Sequence, residues 1–553
     1  MKRARRSSTC SHQRERSRPR RQFATKAGAL LCCAAASSLL LFDGEQGPSP
    51  SSLQQWVRSA SLRRKLSSST TAHTAATHVS SLPPVAPYDR HDVFQTQGNF
   101  TEKNALLIFD GETNEIRSYF PGPVDVPRVR IQRKKLCMKL VTALARAMRK
   151  HYPDRLQLGM PNFQIMFFSY DNPKTPQCLQ NPTSCHANEF APILSFGSVP
   201  KDGNVLPSVT AMPLITFFDC LFSPSTCECL NNVPDNVPGW EDLTPQVVWR
   251  GSDYAFLPDY NYENSMAVYG KEALDDFFAL DPSQMTRRQV LDALLKDWDK
   301  LTPRWRGVAR TLEANIDVDA ANGQEKEEQR NNGSDQDGRA APLPWIDVRF
   351  HVHPGSETFE KFTRAGDAIF STEYMDNEEL SRYKYHIDIA GGGGTTWKGT
   401  LQKLAMPGLL FHHETVMKDF FHDELIPYQH YVPIQQDLSD LRQQYEWAEN
   451  NPNEAKKIAQ AATEFVQNLR SEEWLRSTYE RYFVKQVGEI IVAYQPQEHE
   501  TTQSVIDEYQ ELNLQMDLVS TCDEVGCRHL VQNKKAVKYE PYFGEEDDLP
   551  EWV

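Results

Sequence analysis

The segment KYHIDIAGGGGTTWKG, residues 384–399, is the most informative part of the chain. Tyr385–Ile389 is a strand-like apolar run, four glycines follow it, and Gly399–Ala405 has helical spacing. Glycines let a backbone approach a phosphate, amides at a helix start point toward it, and threonine and lysine add donors. The segment therefore predicts an anion site whose candidate ligands are Gly392, Gly393, Gly394, Thr395, Thr396 and Lys398. A tight turn with a glycine-rich linker is the alternative interpretation.

Strand-like runs alternate with helical repeats on both sides of this segment, which is typical of parallel sheets covered by helices. A proline-rich stretch from Val233 to Pro245 separates two such series, and long amphipathic helices are predicted at Asp437–Leu469 and Ser471–Val487. The pattern favours two Rossmann-like domains facing a cleft, with ligands at the carboxyl ends of strands. The other predicted strands are Ala105–Phe109, Phe163–Phe168, Ile193–Phe196, Val247–Trp249, Ile346–Phe350 and Gly408–Phe411, and the other predicted helices are Cys137–Arg149 and Arg288–Leu301.

A second candidate anion site is Trp249–Ser252, where a predicted strand ends in Arg-Gly-Ser. The fork of Arg250 suits a diphosphate, and the small residues Gly251 and Ser252 leave room for one. A salt-bridging arginine at a surface turn is the alternative interpretation. Neither anion site has the spacing of a P-loop or of the dinucleotide fingerprint, so kinases and dehydrogenases receive little support.

Charge is distributed unevenly along the 553 residues, whose net charge is -14. Met1–Lys26 carries a net +9, which leaves -23 for the remainder. An acidic body argues against nucleic-acid binding, because phosphate affinity needs surplus lysine and arginine. The chain is 39% hydrophobic, so a wholly disordered protein is excluded.

The basic end is followed by Ala27–Phe42, an apolar run without a charge. This pattern predicts a type II signal anchor, with a cleaved signal peptide, an organelle transit peptide and a disordered basic tail as alternatives. Eight cysteines lie beyond this end, and their even number suits disulfides in an oxidising lumen. The sequons at Asn99 and Asn332 are compatible with a secretory route.

Several sequence boxes occur together in order. They are WRGS at Trp249–Ser252, RYKYHID at Arg382–Asp388, PGLL at Pro407–Leu410, the box Phe420–Pro433 that contains PYQHYVP, and DLSDL at Asp437–Leu441. This ordered set resembles glycosyltransferase family 90, the Rumi-like protein O-glucosyltransferases and fungal capsule-associated xylosyltransferases. The resemblance covers about Phe163 to Leu469.

The resemblance implies an α/β protein with a GT-B-like fold: two facing Rossmann-like domains with parallel sheets and a helical C-terminal region. It implies inverting transfer of glucose or xylose from a UDP-sugar to a hydroxyl of a protein or glycan in the endoplasmic reticulum or Golgi lumen. Secretion after signal cleavage is the alternative location. No tightly bound cofactor is implied. Asp171 matches the position of the family's catalytic base, and a carboxylate after a strand can take the acceptor's proton.

The family's usual loop contains serine and arginine where this chain has Thr395, Thr396 and Lys398, so a point charge would replace a fork. Asp317-Val318-Asp319 has the D-x-D pattern of metal-dependent transferases, but it sits at the edge of a polar insertion. Scattered histidines such as His412, His413 and His422 are more often structural, so no metal is assigned. Metal independence is the expectation, since cations and amides can stabilise the leaving UDP.

The predicted organisation has six parts. These are a basic cytosolic tip at 1–26, a signal anchor or signal peptide at 27–42, a disordered stem at 43–93, an N-terminal Rossmann-like acceptor and base domain at 94–240, a donor-binding Rossmann-like domain at 241–490 with a polar insertion loop at 317–341, and a C-terminal helix and tail at 491–553. A catalytically inactive lumenal binding protein and an ATP-binding kinase remain as competing functions.

Overall fold

The computed structural model describes one compact unit within Ser81–Val553. The described residues are 87–97, 104–121, 128–168, 192–195, 209–211, 217, 237–252, 279, 284–332, 342–352, 369–391, 398–415, 419–497, 500–511, 516–533 and 536–541. Within these ranges no helix combines the length and apolar character needed to cross a membrane. The basic tip, the run Ala27–Phe42 and the stem up to residue 86 lie outside them.

The strands form two sheets. The first sheet has the order β14-β13-β12-β2-β1-β3-β4-β5 and the second has β11-β10-β9-β6-β7-β8. Their bounds are β1 Asn104–Asp110, β2 Glu115–Pro121, β3 Phe163–Phe168, β4 Ile193–Ser195, β5 Val209–Ala211, β6 Thr244–Gly251, β7 Ile346–His351, β8 Phe370–Ser371, β9 Tyr383–Asp388, β10 Leu409–His413, β11 Val432–Ile434, β12 Met516–Cys522, β13 Cys527–Asn533 and β14 Ala536–Pro541.

Helices connect and cover the sheets. They are α1 Arg90–Gln97, α2 Arg128–His151, α3 Arg287–Lys296, α4 Pro303–Asn332, α5 Asn377–Leu380, α6 Lys398–Leu404, α7 Leu441–Asn450, α8 Pro452–Leu469, α9 Glu472–Tyr479, α10 Lys485–Ala493 and α11 Thr502–Glu511, with a π-helical turn at Glu480–Val484 between α9 and α10. The predicted helix at Asp437–Leu469 is divided, because Asn451 and Pro452 interrupt it.

The second sheet is parallel throughout its described strands, as expected. Counted from β6, its spatial order is 3-2-1-4-5-6, the order of the doubly wound nucleotide-binding fold. The chain runs outward from β6 to β8 and returns to build β9 to β11 on the other side. The order therefore reverses between β6 and β9, which is where such sheets bind ligands.

The expectation of a parallel first sheet is wrong for most of its strands. Gly111–Asn114 forms a turn, stabilised by Asp110, which accepts hydrogen bonds from the backbone N–H groups of Glu112 and Thr113. The turn reverses the chain into β2, so β1 is antiparallel to both β2 and β3. Only β3, β4 and β5 are parallel neighbours.

The expectation of a helical C-terminal region is also wrong beyond α11. β12 pairs antiparallel with β2, and β13 and β14 extend the sheet. This pairing covers the backbone edge of β2 that would otherwise be open. Cys522 and Cys527 face each other across β12 and β13 and form a disulfide, which confirms the predicted disulfide chemistry for this pair.

The expected insertion loop at 317–341 is helical as far as Asn332, because α4 continues through it. Glutamate, lysine, glutamine and arginine in this run are good helix formers, so high polarity did not prevent a helix. Near its start, α4 buries Trp305, Val308 and Leu312 against the second sheet. Gly307 allows this approach, since a Cβ there would lie 2.8 Å from Val348.

Candidate functional site

The carboxyl ends of β6 and β9 meet at the point where the strand order reverses. β6 ends at Gly251 and β9 ends at Asp388, which two residues separate from Gly391, the first of the four glycines. Arg304, in the first turn of α4, donates to the carbonyl oxygens of Ser252 at 2.5 Å and Ile389 at 3.2 Å. One buried guanidinium thus joins both strand ends, and its plane also lies over the ring of Trp249.

Arg250 is engaged within the second sheet. Its guanidinium bonds the Asp347 carboxylate at 2.6 Å and the carbonyl oxygens of Trp249 and Asp347. Burial alone would raise the pKa of Asp347, but bonds and charge from Arg349 and Arg250 outweigh burial and lower it. Arg250 therefore forms a salt bridge, but it does so largely buried within β6 and not at a surface turn. A phosphate would have to compete with Asp347 for it.

Gly251 is required by packing rather than by an unusual backbone angle. A Cβ at this position would lie 2.4 Å from the ring of Trp249, closer than real Cβ contacts. The tryptophan ring folds back over its neighbour and is itself covered by Arg304. Ser252 follows Gly251 directly after the end of β6, and it is exposed.

Asp388 is a fully buried carboxylate at the end of β9. It accepts hydrogen bonds from the hydroxyl of Thr400 at 2.7 Å and from the backbone N–H of His413 at 3.1 Å. His412 Nδ1 lies 2.8 Å from its Oδ2 atom. Burial would raise the pKa of Asp388, but His412, Lys403 and Thr400 together lower it. The carboxylate therefore joins β9 to α6 and β10 while remaining ionised.

Two further side chains complete this cluster. His413 accepts a bond from the backbone N–H of Ala390 at Nδ1, and its Nε2 donates to the carbonyl oxygen of Gln436 at 2.8 Å. Burial lowers the pKa of His413 to about 4, so the ring is neutral. Lys403 on α6 has its pKa lowered by burial, although the charge of Asp388 opposes that shift. Arg304 is the cation of this edge that bonds both strand ends, and a guanidinium there suits an anionic ligand.

The structure describes only some of the predicted site residues. Arg250, Gly251 and Ser252 lie on β6 and its end, and Lys398 begins α6 with only its backbone described. Asp171 lies outside the described residues, as do Gly392, Gly393, Gly394, Thr395 and Thr396. Asp319 of the D-x-D pattern pairs with Arg287 on an exposed surface.

Sequence reasoning missed Arg304, Lys403 and the role of Asp388. Asp388 had a usable signal, because a carboxylate inside an apolar strand must be paired when it is buried. Arg304 had none, since its partners Ser252 and Ile389 are 52 and 85 residues away along the chain.

Comparison with known proteins confirms the resemblance for one part of the chain. Residues 361–524 match the model of the family "Glycosyl transferase family 90". This range contains β9, the glycine-rich segment, β10 and the helices up to β12, but neither Asp171 nor Arg250.

Individual relatives match over similarly short stretches. Protein O-glucosyltransferase 2 of Danio rerio is 33% identical over 113 residues, which is 19% of this chain and 21% of that protein. Protein O-glucosyltransferase 3 of Rattus norvegicus is 30% identical over 124 residues, 21% of this chain and 23% of the relative. Protein O-glucosyltransferase 1 of Homo sapiens is 32% identical over 88 residues, 16% and 22% of the two chains. The matches thus span about a fifth of the relatives' length.

Proposed function

We propose that this protein is a glycosyltransferase that transfers glucose or xylose from a UDP-sugar to a hydroxyl of a protein or glycan acceptor. One observation carries the proposal. In the segment matched by family 90, the glycine-rich sequence follows the end of β9 in the chain, and β9 ends where the strand order of the parallel second sheet reverses. The Arg304 guanidinium, which bonds the ends of β6 and β9, supplies positive charge at the same edge.

In the proposed mechanism the diphosphate lies over the carboxyl ends of β6 and β9. Gly251 and Ser252 border it on one side, and Gly392, Gly393, Gly394, Thr395, Thr396 and Lys398 border it on the other. Arg250 contributes through its ion pair with Asp347, which fixes β6 against β7. Stabilising the charge that develops on the leaving UDP needs only such preorganised donors.

Asp171 is the proposed base. It follows the last residue of β3 by three positions in the chain, and in the proposed GT-B-like arrangement it would belong to the half that does not bind the donor. Its carboxylate would accept the proton of the acceptor hydroxyl while that oxygen attacks the anomeric carbon and UDP leaves from the opposite face. The result would be an inverted anomeric centre. We further propose residence in the secretory lumen, with Ala27–Phe42 as a membrane anchor or a cleaved signal.

A UDP-release screen of the purified full chain against a panel of UDP-sugars tests the function. We expect release with UDP-glucose or UDP-xylose, and a loss of about 10²–10⁴-fold in Asp171→Asn with the affinity for UDP retained. Asp154→Asn is the matched control, an exposed carboxylate in a short turn after α2. An inactive binding protein would bind UDP and release none in any variant, and a kinase would bind ATP instead.

A further inference from the structure

Three side chains, Asp388, His412 and His422, form a hydrogen-bonded chain that starts at the end of β9. This series is called the positioning chain below. His412 Nδ1 faces Asp388, and His412 Nε2 lies 3.2 Å from Nε2 of His422. His422 Nδ1 accepts a hydrogen bond of 2.8 Å from the backbone N–H of Asp419. The chain thus links β9 through β10 to the 419–425 loop, the described residues Asp419–Leu425 between β10 and β11.

The contacts fix one tautomer for each ring. Because the N–H of Asp419 already donates to Nδ1 of His422, the neutral ring carries its proton on Nε2. That proton points at Nε2 of His412, which must then accept it. His412 consequently carries its proton on Nδ1 and donates it to Asp388. The three contacts from Asp388 to His412, from His412 to His422 and from Asp419 to His422 all form only when both rings are neutral.

One additional proton breaks this pattern. If Nε2 of His412 is protonated, its N–H points at the N–H on Nε2 of His422, and two donors then face each other. The conflict ends only if the proton of His422 moves from Nε2 to Nδ1. A proton on Nδ1 of His422 breaks the bond from the N–H of Asp419, and the Asp419 carboxylate, 3.8 Å from that nitrogen, favours such a proton by its charge. With three protons on the two rings, at least one of three contacts is lost: Asp388 with His412, His412 with His422, or the N–H of Asp419 with His422. The loss of a contact with acid is therefore a consequence of the geometry.

Both ends of the chain are held by rigid parts of the protein. On the loop, Glu424 accepts bonds from Trp474 on α9 and Tyr482 in the π-helical turn. On the strand, Asp388 is fixed by Thr400, as described above. Three titratable groups contact the two rings directly: Asp388 on β9 and Tyr431 beside β11 contact His412, and Asp419 in the loop lies beside His422. Three more charged or titratable groups lie around them: Lys403 on α6 acts on Asp388, His413 on β10 interacts with Asp388 and His412, and Arg304 on α4 acts on His413.

We propose that Asp388, His412 and His422 form a positioning chain that holds the end of β9 against the 419–425 loop and releases it when one proton is added. Resting on the proposed function, the chain sets the position of the segment that receives the UDP diphosphate. These are positioning residues, since none of them is required to touch the donor.

Histidine tautomers test the chain without reference to activity. In the full chain labelled with ¹⁵N-histidine, long-range NMR correlations at pH 7.5 should show a neutral Nδ1–H form for His412 and a neutral Nε2–H form for His422. Amide hydrogen exchange, corrected for intrinsic rates, should show protection at residues 389–391 and 412–413 falling as the pH decreases from 8 to 5.5. An Nε2–H form for His412 overturns the proposal.

Two variants separate the chemistry from packing. His422→Gln supplies a donor to His412 but cannot titrate, so we expect the pH dependence of protection and of UDP affinity to disappear. His422→Phe keeps the stacking on Phe421 but supplies no donor, and UDP affinity should fall about fivefold at every pH. His430→Gln is the control, a buried histidine near the loop but outside the chain, and should behave as the wild type.

The outcomes separate this inference from the proposed function. If UDP binds but His422→Gln retains the acid-dependent weakening, the positioning chain is refuted and the function stands. If UDP binds to no form while the tautomers and the exchange pattern follow the expectation, the chain stands and the proposed function fails.

Discussion

The two sheets place their buried polar groups in different positions. In the first sheet these groups join segments far apart in sequence: Asp110 accepts a bond from Thr502, and Gln164 donates to Tyr494. In the second sheet they gather at the carboxyl edge, around Asp388 and Arg304. In the first sheet, buried hydrogen bonds therefore connect the segments around β1 and β3 with residues 494–502. In the second sheet, buried polar groups form the candidate binding edge.

The largest effect should come from a cavity in the first sheet. Phe109 is fully buried and stacks on Phe163 at 5.2 Å between ring centroids. We expect Phe109→Ala to lower the free energy of unfolding by about 3–5 kcal/mol, measured with denaturant, while the folded fraction binds UDP as the wild type does. Val525→Ala, at a position that is 84% exposed, is the control. A weakened UDP affinity in folded Phe109→Ala would contradict the division of roles between the sheets.

Removing the counter-charge of Arg250 should have the next largest effect. Asp347→Asn leaves Arg250 and Arg349 beside a neutral amide, and breaking a buried pair in this way costs about 3 kcal/mol in unfolding free energy. Asp319→Asn breaks the exposed pair with Arg287 and should change stability by less than about 1 kcal/mol. Equal effects from the two variants would show that the Arg250 pair is not structural.

The disulfide should stabilise only the first sheet. Cys522–Cys527 closes a loop of sequence separation 5, for which chain entropy gives about 2 kcal/mol. We expect Cys527→Ser to lower unfolding stability by this amount under oxidising conditions and to leave UDP affinity unchanged. A reductant should bring the wild type toward the variant. Loss of UDP binding on reduction would mean that the C-terminal strands also shape the candidate site.

The smallest effect concerns a buried histidine of the second sheet. Burial lowers the pKa of His386 to about 3, and both its ring nitrogens lack hydrogen-bond partners among the described residues. The unfolded chain therefore binds a proton that the folded protein excludes, so stability falls as the pH decreases below about 6.5. His386→Leu should reduce the loss between pH 8 and 5.5 by about 1.4 kcal/mol in pH-dependent denaturant unfolding. His91→Leu, at an exposed position, is the control and should leave that loss unchanged.

Local patterns in the sequence were sufficient for most strands of the second sheet. Apolar runs fixed β6, β7, β9 and β10 to within a few residues, and Phe163–Phe168 matched β3 at both ends. Strand direction in the first sheet was not predictable in the same way, because one turn at Gly111–Asn114 reverses it. Pairing of β12 with β2 depends on contacts between distant segments, which no local period encodes.

The candidate site shows the same division. The glycine-rich segment and the small residues Gly251 and Ser252 at the end of β6 indicate a site by their composition alone. Arg304 and the tautomers of His412 and His422 arise only from the way the strands and helices are assembled. The ordered sequence boxes were sufficient to indicate a family. The tautomers of His412 and His422 could be assigned only from the atomic structure.

The pairing of β2 with β12 has a consequence for synthesis. β2 ends at Pro121 and its partner begins at Met516, so β2 lacks this neighbour until residues 122–515 have been synthesised. At common translation rates the edge of β2 waits about 20–80 s, exposed to other strands. All strands of the second sheet emerge during that interval. The edge of β2 is therefore made before the second sheet and paired with β12 after it, so the risk of wrong strand pairing during synthesis falls on β2 rather than on the candidate site.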